Sequence, residues 1–195
     1  MSRRIIPILI IVVAISAAAL GYLTLNPGAG GGPAAVPIGG PIRLTDQDGK
    51  PFDSASLAGK PYAVFFGFTH CPDACPTTLS EMARTEEEIG APAKGFPTLF
   101  VTVDPERDTP AVLKEYISNF SGNTIALSGT PEQVAEAAKT YRVFYKKVPT
   151  SDGGYTMDHT AVLYLMNREG KFADLIAYSE EHDRYVAKIE KLLTE

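Results

Sequence analysis

Tryptophan is absent from the 195 residues, and there are only two cysteines and three histidines. Two cysteines allow at most one disulfide, so the domain cannot be a multiply bridged scaffold. A basic excess is also missing: 18 Lys and Arg stand against 23 Asp and Glu, a formal charge of −5, with no basic stripe interleaved with aromatics. That balance argues against nucleic acid as a partner. No internal repeat is evident. At 45% hydrophobic and 21% charged residues, the composition suits one ordinary domain with a short appendage.

Charge is missing altogether from Ile5 to Leu25, a run rich in Ile, Leu, Val and Ala. Its length is about that needed to cross a hydrocarbon core of ~30 Å, which predicts a membrane anchor over residues 1–25. Arg3 and Arg4 precede it and no charge follows until Arg43, so the positive-inside bias places the N-terminus in the cytoplasm and the rest of the chain outside. The alternative is a cleaved signal peptide, with Ala17, Ala18 and Ala19 as the small residues. Apolar residues continue through Leu25, which favours the uncleaved anchor. Residues 26–41 are a Gly/Pro/Ala stretch without periodicity, expected to be a spacer. Without Arg3 and Arg4 the exported part carries 16 basic and 23 acidic residues, a formal charge of −7. In an oxidising compartment a cysteine pair is chemically meaningful.

Residues 42–195 read as one layered α/β domain. Alternation around Asp48-Gly49 predicts a β-hairpin from Ile42 to Phe52. The continuous apolar run Tyr62–Phe68 predicts a central strand covered on both faces. A helix is expected from Thr77 to Ile89, then a parallel strand over Pro97–Val103. Thr109 and Pro110 open a helix through Phe120, and Thr130 with Gln133 forms a capping box for the next, to about Thr140. An inserted hairpin runs out from Arg142 and returns through Tyr155–His159. Strands follow over Ala161–Met166 and Phe172–Ala177, then a last helix from Glu181 to Leu193. This order predicts a thioredoxin-like fold with an N-terminal β-hairpin addition and an inserted hairpin, preceded by one transmembrane helix. Working residues of such sheets lie beyond the C-terminal ends of parallel strands. Cys71, Cys75 and Asp104 fall there.

Cys71 and Cys75, four residues apart at the mouth of a helix, are open to three fates: a disulfide, one soft metal ion, or inertness. A helix N-terminus favours the thiolate form, making both better nucleophiles and ligands. The four-residue spacing predicts that both side chains share a helical face. For a third ligand the sequence offers three imidazoles. His70 adjoins Cys71 and is expected to point away. His182 sits among Glu180, Glu181 and Asp183 and is expected to be solvated. His159, just before a buried strand, is the candidate that the fold can bring over the cysteine turn. Two thiolates and an imidazole suit copper, as Cu(I) or Cu(II), whereas a structural zinc site ordinarily wants a fourth protein ligand. Asp73 and Met157 are candidates for occasional ligands, and Asp158 for orienting His159 or capping a turn.

Gly67-Phe68-Thr69-His70-Cys71-Pro72-Asp73-Ala74-Cys75-Pro76, then Val103-Asp104-Pro105-Glu106-Arg107-Asp108-Thr109-Pro110, then Asp158-His159-Thr160 closely resemble the signature blocks of the Sco/SenC family. The blocks occur in the family's order, behind a membrane anchor. The resemblance implies a membrane-tethered, thioredoxin-like copper metallochaperone that assists assembly of the Cu-A centre of cytochrome c oxidase, with subunit II as its partner. It implies Cys71, Cys75 and His159 as metal ligands, a periplasmic copper donor, and a thiol reductant. It further implies thiol-disulfide exchange by Cys71 and Cys75, reducing the target's cysteines. Residues 104–110 are expected to be structural or partner-facing. The short N-terminus, without an Arg/Ser-rich transit peptide, points to a bacterial inner membrane with the domain facing the periplasm.

The rival is a thiol-disulfide oxidoreductase that uses Cys71 and Cys75 with no required metal. Its usual spacing has two residues between the cysteines, whereas here there are three. A peroxiredoxin-like peroxidase would carry a hydroxyl residue three positions before its cysteine, and that position is Phe68. A purely structural disulfide leaves the exposed loop and His159 without a purpose.

Overall fold

The computed structural model describes residues 5–25 and 37–195, with side chains in the first segment described from 11 to 22. The spacer expected over 26–41 lies outside the described residues as far as 36. Residues 1–36 and 37–195 are separate units. In the first, Ile5–Leu25 forms one helix, α1. Among the residues described in full, no helix is long and apolar enough to cross a membrane.

In the second unit the order is β1 (Arg43–Asp46), β2 (Pro51–Asp53), β3 (Tyr62–Gly67), α2 (Ala74–Ile89), β4 (Thr98–Thr102), α3 (Pro110–Ile117), β5 (Thr124–Ser128), α4 (Pro131–Thr140), β6 (Tyr145–Pro149), β7 (Tyr155–His159), β8 (Val162–Met166), β9 (Phe172–Ala177) and α5 (His182–Thr194). Seven strands form one sheet in the order β2-β1-β5-β4-β3-β8-β9. β3 runs parallel to β4 and β4 to β5, and the other pairs are antiparallel. Every residue of β3 and β4 is buried, as their largely apolar composition, broken in β4 only by its terminal threonines, requires of strands covered on both faces. The thioredoxin-like α/β expectation therefore holds, with β1 and β2 as the added hairpin and β6 and β7 as the insertion, a sheet of their own.

Three details differ from expectation. α2 begins at Ala74 rather than Thr77, because Pro76 lies in the first turn, where a missing N–H costs nothing. The helix buries Cys75, Thr78, Leu79, Met82 and Thr85, one face at helical spacing, and stops at Gly90 with φ 71°. α3 ends at Ile117, short of Phe120, because the Asn119 amide takes up the Glu115 and Tyr116 carbonyls. His182 is not solvated. α5 packs on α2, and the imidazole is only 13% exposed, with Nδ1 2.8 Å from Glu81 and Nε2 2.9 Å from Glu88. The hydrogen bond to Glu88 is the main cause that raises its pKa, and with a carboxylate of α2 at each ring nitrogen the side chain clasps α5 to α2.

Candidate metal centre

The register Gly67↔Thr102 between β3 and β4 sets the two C-terminal strand ends side by side. The chain after β3 turns at once, with the Cys71 N–H donating to the Phe68 carbonyl at 3.2 Å. Cys71 is thus outside α2, ahead of its N-cap, Asp73, and the shared helical face expected from the spacing does not exist. The sulfurs meet by another route. The loop folds back so that the Cys75 N–H, in the first turn of α2, points at Cys71 Sγ 3.4 Å away. One of the helix's unpaired amides is thereby satisfied by a thiolate acceptor.

β7 delivers the imidazole. His159 ends that strand with Nε2 3.7 Å from Cys75 Sγ, and its ring stands edge-on to Phe65 and Phe68 at centroid distances of 6.1 and 5.7 Å. Nδ1 lies 3.2 Å from the Thr160 carbonyl. Donation there places the proton on Nδ1 and leaves the Nε2 lone pair facing the sulfurs, the tautomer a metal ligand needs. One ligand atom from each of Cys71, Cys75 and His159 lies within 4.8 Å of the other two, the one such cluster of three or more His, Cys, Asp or Glu among the described residues.

The remaining candidates are engaged elsewhere. Asp73 accepts a hydrogen bond from the Tyr178 hydroxyl at 2.6 Å. Met157 is buried in the hydrophobic core. His70 is exposed beside Thr69, as expected. Asp158 is exposed and paired in register with Lys146. Alternation along β7 turns it away from the face of His159, and the Thr160 carbonyl orients the ring instead.

Both cysteines are free, Cys71 half-buried and Cys75 buried. Their acidities are pushed apart. The Cys75 thiol hydrogen-bonded to Cys71 Sγ is the chief cause that lowers the Cys71 pKa to about 4, with help from the Asp73 and Cys75 amides against the opposing effect of burial. The same hydrogen bond, burial and the adjacent thiolate charge raise that of Cys75. The pair therefore carries one negative charge at neutral pH, with the accessible sulfur as the nucleophile. Because the pKa is depressed, the Cys71 thiolate is fully present well above pH 4 and is lost as pH falls through that value. Alkylation of Cys71 by iodoacetamide, followed by peptide mass mapping, should be flat from about pH 9 to 6 and fall only below about pH 5. A normal thiol would already fall below its ordinary pKa of about 8.5.

Two features that sequence reasoning overlooked shape the site. Gly67 lies at the end of β3, where an added Cβ would fall 2.7 Å from Cys75 Sγ and 2.8 Å from the Phe100 ring. A glycine inside a buried apolar strand is the available signal for such close approach. Gly67→Ala should displace the sulfur and lower stability by about 1–3 kcal/mol, measured by urea unfolding, with weaker copper retention. The other is Asp108, fully buried. Its carboxylate accepts from the Thr69 N–H at 3.0 Å, the Thr69 hydroxyl at 2.6 Å and the Thr102 hydroxyl at 2.6 Å. The block 104–110 is thus structural on this side, holding the loop that carries Cys71.

A family model described as SCO1/SenC matches residues 31–194. The chain belongs to the SCO1/SenC family. An SCO2-like protein of Rickettsia prowazekii is 40% identical over 139 residues, covering 70% of this chain and 68% of that one. The mitochondrial SCO1 homolog 1 of Arabidopsis thaliana is 40% identical over 155 residues, 78% of this chain and 46% of the relative, so the SCO1/SenC chain spans about half that protein's length. Among solved structures, Bradyrhizobium japonicum ScoI with copper bound superposes with a TM-score of 0.73 at 47% identity, covering 80% of this chain and 99% of the other.

Proposed function

We propose that this SCO1/SenC protein is a copper carrier whose cargo is held by Cys71, Cys75 and His159. The observation that supports the reading best is the convergence of two sulfurs and a ring nitrogen within 4.8 Å, in a chain 47% identical to a relative solved with copper bound. Soft sulfur donors suit Cu(I), and the imidazole extends the set to Cu(II). The pair's single negative charge and low Cys71 pKa mean that few protons must be displaced when the metal arrives at neutral pH. Assembly of the Cu-A centre on cytochrome c oxidase subunit II is the proposed destination, in keeping with the family resemblance. We place the domain in the periplasm of a bacterium, tethered to the inner membrane by the uncharged helix Ile5–Leu25 behind Arg3 and Arg4.

Anaerobic copper titration of the 37–195 unit, with X-ray absorption counting the ligands, tests the reading. One copper per chain with two sulfurs and at least one imidazole nitrogen supports it. Substoichiometric binding, or a shell without sulfur, overturns it.

A second reading, reduction of the target's cysteines, is favoured by the low Cys71 pKa above a buried Cys75. The Cys71 thiolate would attack a disulfide sulfur of the target and expel one target thiolate. Cys75, losing its proton to solvent or to that thiolate, would then attack Cys71 Sγ and release the second, so that two electrons pass to the target and the disulfide ends between Cys71 and Cys75. Mixing the reduced protein with an oxidised Cu-A-site peptide measures this transfer. If the His159→Ala protein transfers as fast as the native one, the exchange is independent of the metal site.

A further inference from the structure

The turn 104–108 grips more than the cysteine loop. Asp104 is buried, pairs with the Arg107 guanidinium through Nε and accepts from the Tyr155 hydroxyl at 3.0 Å. Arg107 Nη1 donates to the Tyr155 backbone carbonyl at 3.0 Å, and the guanidinium lies 3.8 Å over the Tyr155 ring. From the same turn, Glu106 meets Lys147 of β6 at 2.8 Å. Tyr155 opens β7 and His159 closes it.

This matters because β6 and β7 form a two-stranded sheet with no backbone ladder to the main one. A two-stranded hairpin is marginal alone and takes its position from whatever clamps it. One end of β7 is held by the planar Arg107 guanidinium, which spans from Asp104 at Nε to the Tyr155 carbonyl at Nη1, a geometry that a lysine cannot reproduce. Next to Arg107 in the same turn, Asp108 holds Thr69, two positions before Cys71.

We propose that Asp104 and Arg107 are positioning residues that, with Asp108, brace the imidazole-bearing hairpin against the dithiol loop and so set the spacing of the ligand set. The functional meaning of the brace rests on the copper-carrier reading, but its existence can be tested without metal. In NMR spectra of the copper-free protein, nuclear Overhauser contacts from the His159 ring to Phe65 and Phe68 report the docked hairpin. Arg107→Gln and Tyr155→Leu should lose these contacts and Arg107→Lys should fail to restore them. Tyr155→Phe, which keeps the ring under the guanidinium, should retain most of their intensity. Lys171→Gln, in an exposed pair with Glu169, is the control and should change nothing. Copper affinity, measured with a competing chelator, should fall about 10-fold in Arg107→Gln, the scale expected for groups that orient a ligand, with imidazole-nitrogen couplings lost from the Cu(II) resonance spectrum before thiolate coordination. Unchanged ring contacts in both Arg107→Gln and Tyr155→Leu would overturn the brace. Should the native protein fail to bind copper while these contacts vanish as expected, the copper reading falls and the brace stands.

Discussion

Cu(II) affinity is expected to drop by more than about 100-fold when His159 is replaced by alanine, beyond the range typical of groups outside the metal's own shell. The imidazole supplies the one nitrogen facing two sulfurs, and Cu(II) needs that borderline donor more than Cu(I) does. Cu(I) retention should therefore fall less, held by the remaining thiolates. Cys75→Ala should weaken both oxidation states, and it also removes the S–H that stabilises the Cys71 thiolate, returning the Cys71 pKa toward its ordinary range. The fold should survive His159→Ala. The ring's edge contacts with Phe65 and Phe68 are worth about 0.5–1.5 kcal/mol each at most. Competition titrations in each oxidation state check the expectation, and a His159→Ala protein with native Cu(II) affinity and spectrum would remove His159 from the ligand set.

Asp108→Ala is expected to be the most destabilising single change near the site, by about 3–5 kcal/mol. Three donors converge on its buried carboxylate, and alanine leaves the two hydroxyls and the Thr69 amide without that acceptor. Asp108→Asn keeps the shape but turns a charge-accepting carboxylate into an amide with two donors of its own, of which Thr69 and Thr102 need none. It should cost about 2–3 kcal/mol. Urea unfolding gives both numbers. In the folded Asn protein the Cys71 loop should loosen, read as faster exchange of the Thr69 amide hydrogen. Native exchange there would show that the Cys71 turn holds itself without Asp108.

His182 shows how local reading goes astray. Its sequence neighbours are Glu181 and Asp183, which suggest a solvated face, yet its partners are Glu81 and Glu88, a hundred residues earlier. Asp158 errs in the opposite direction: adjacency to His159 suggests a partner, but strand alternation puts neighbours on opposite faces. The cysteine spacing suggested a shared helical face, whereas Cys71 lies ahead of the helix and reaches the amide of Cys75 by a folded loop.

Composition and motif order carried the α/β class, the element sequence, the caps at Thr109 and Thr130, and the choice of Cys71, Cys75 and His159. Those properties depend on local periodicity, turn chemistry and side-chain type, all of which are written along the chain. Tertiary structure alone decided that Gly67 must leave room for a sulfur, that Asp108 ties down the Cys71 loop, and that Arg107 holds the far end of the strand ending in His159. Each joins residues distant in the chain across adjoining elements, through contacts of a few ångströms. A spacing rule sees separation along the backbone, and these distances exist only once β3, β4 and the β6–β7 hairpin have been brought together.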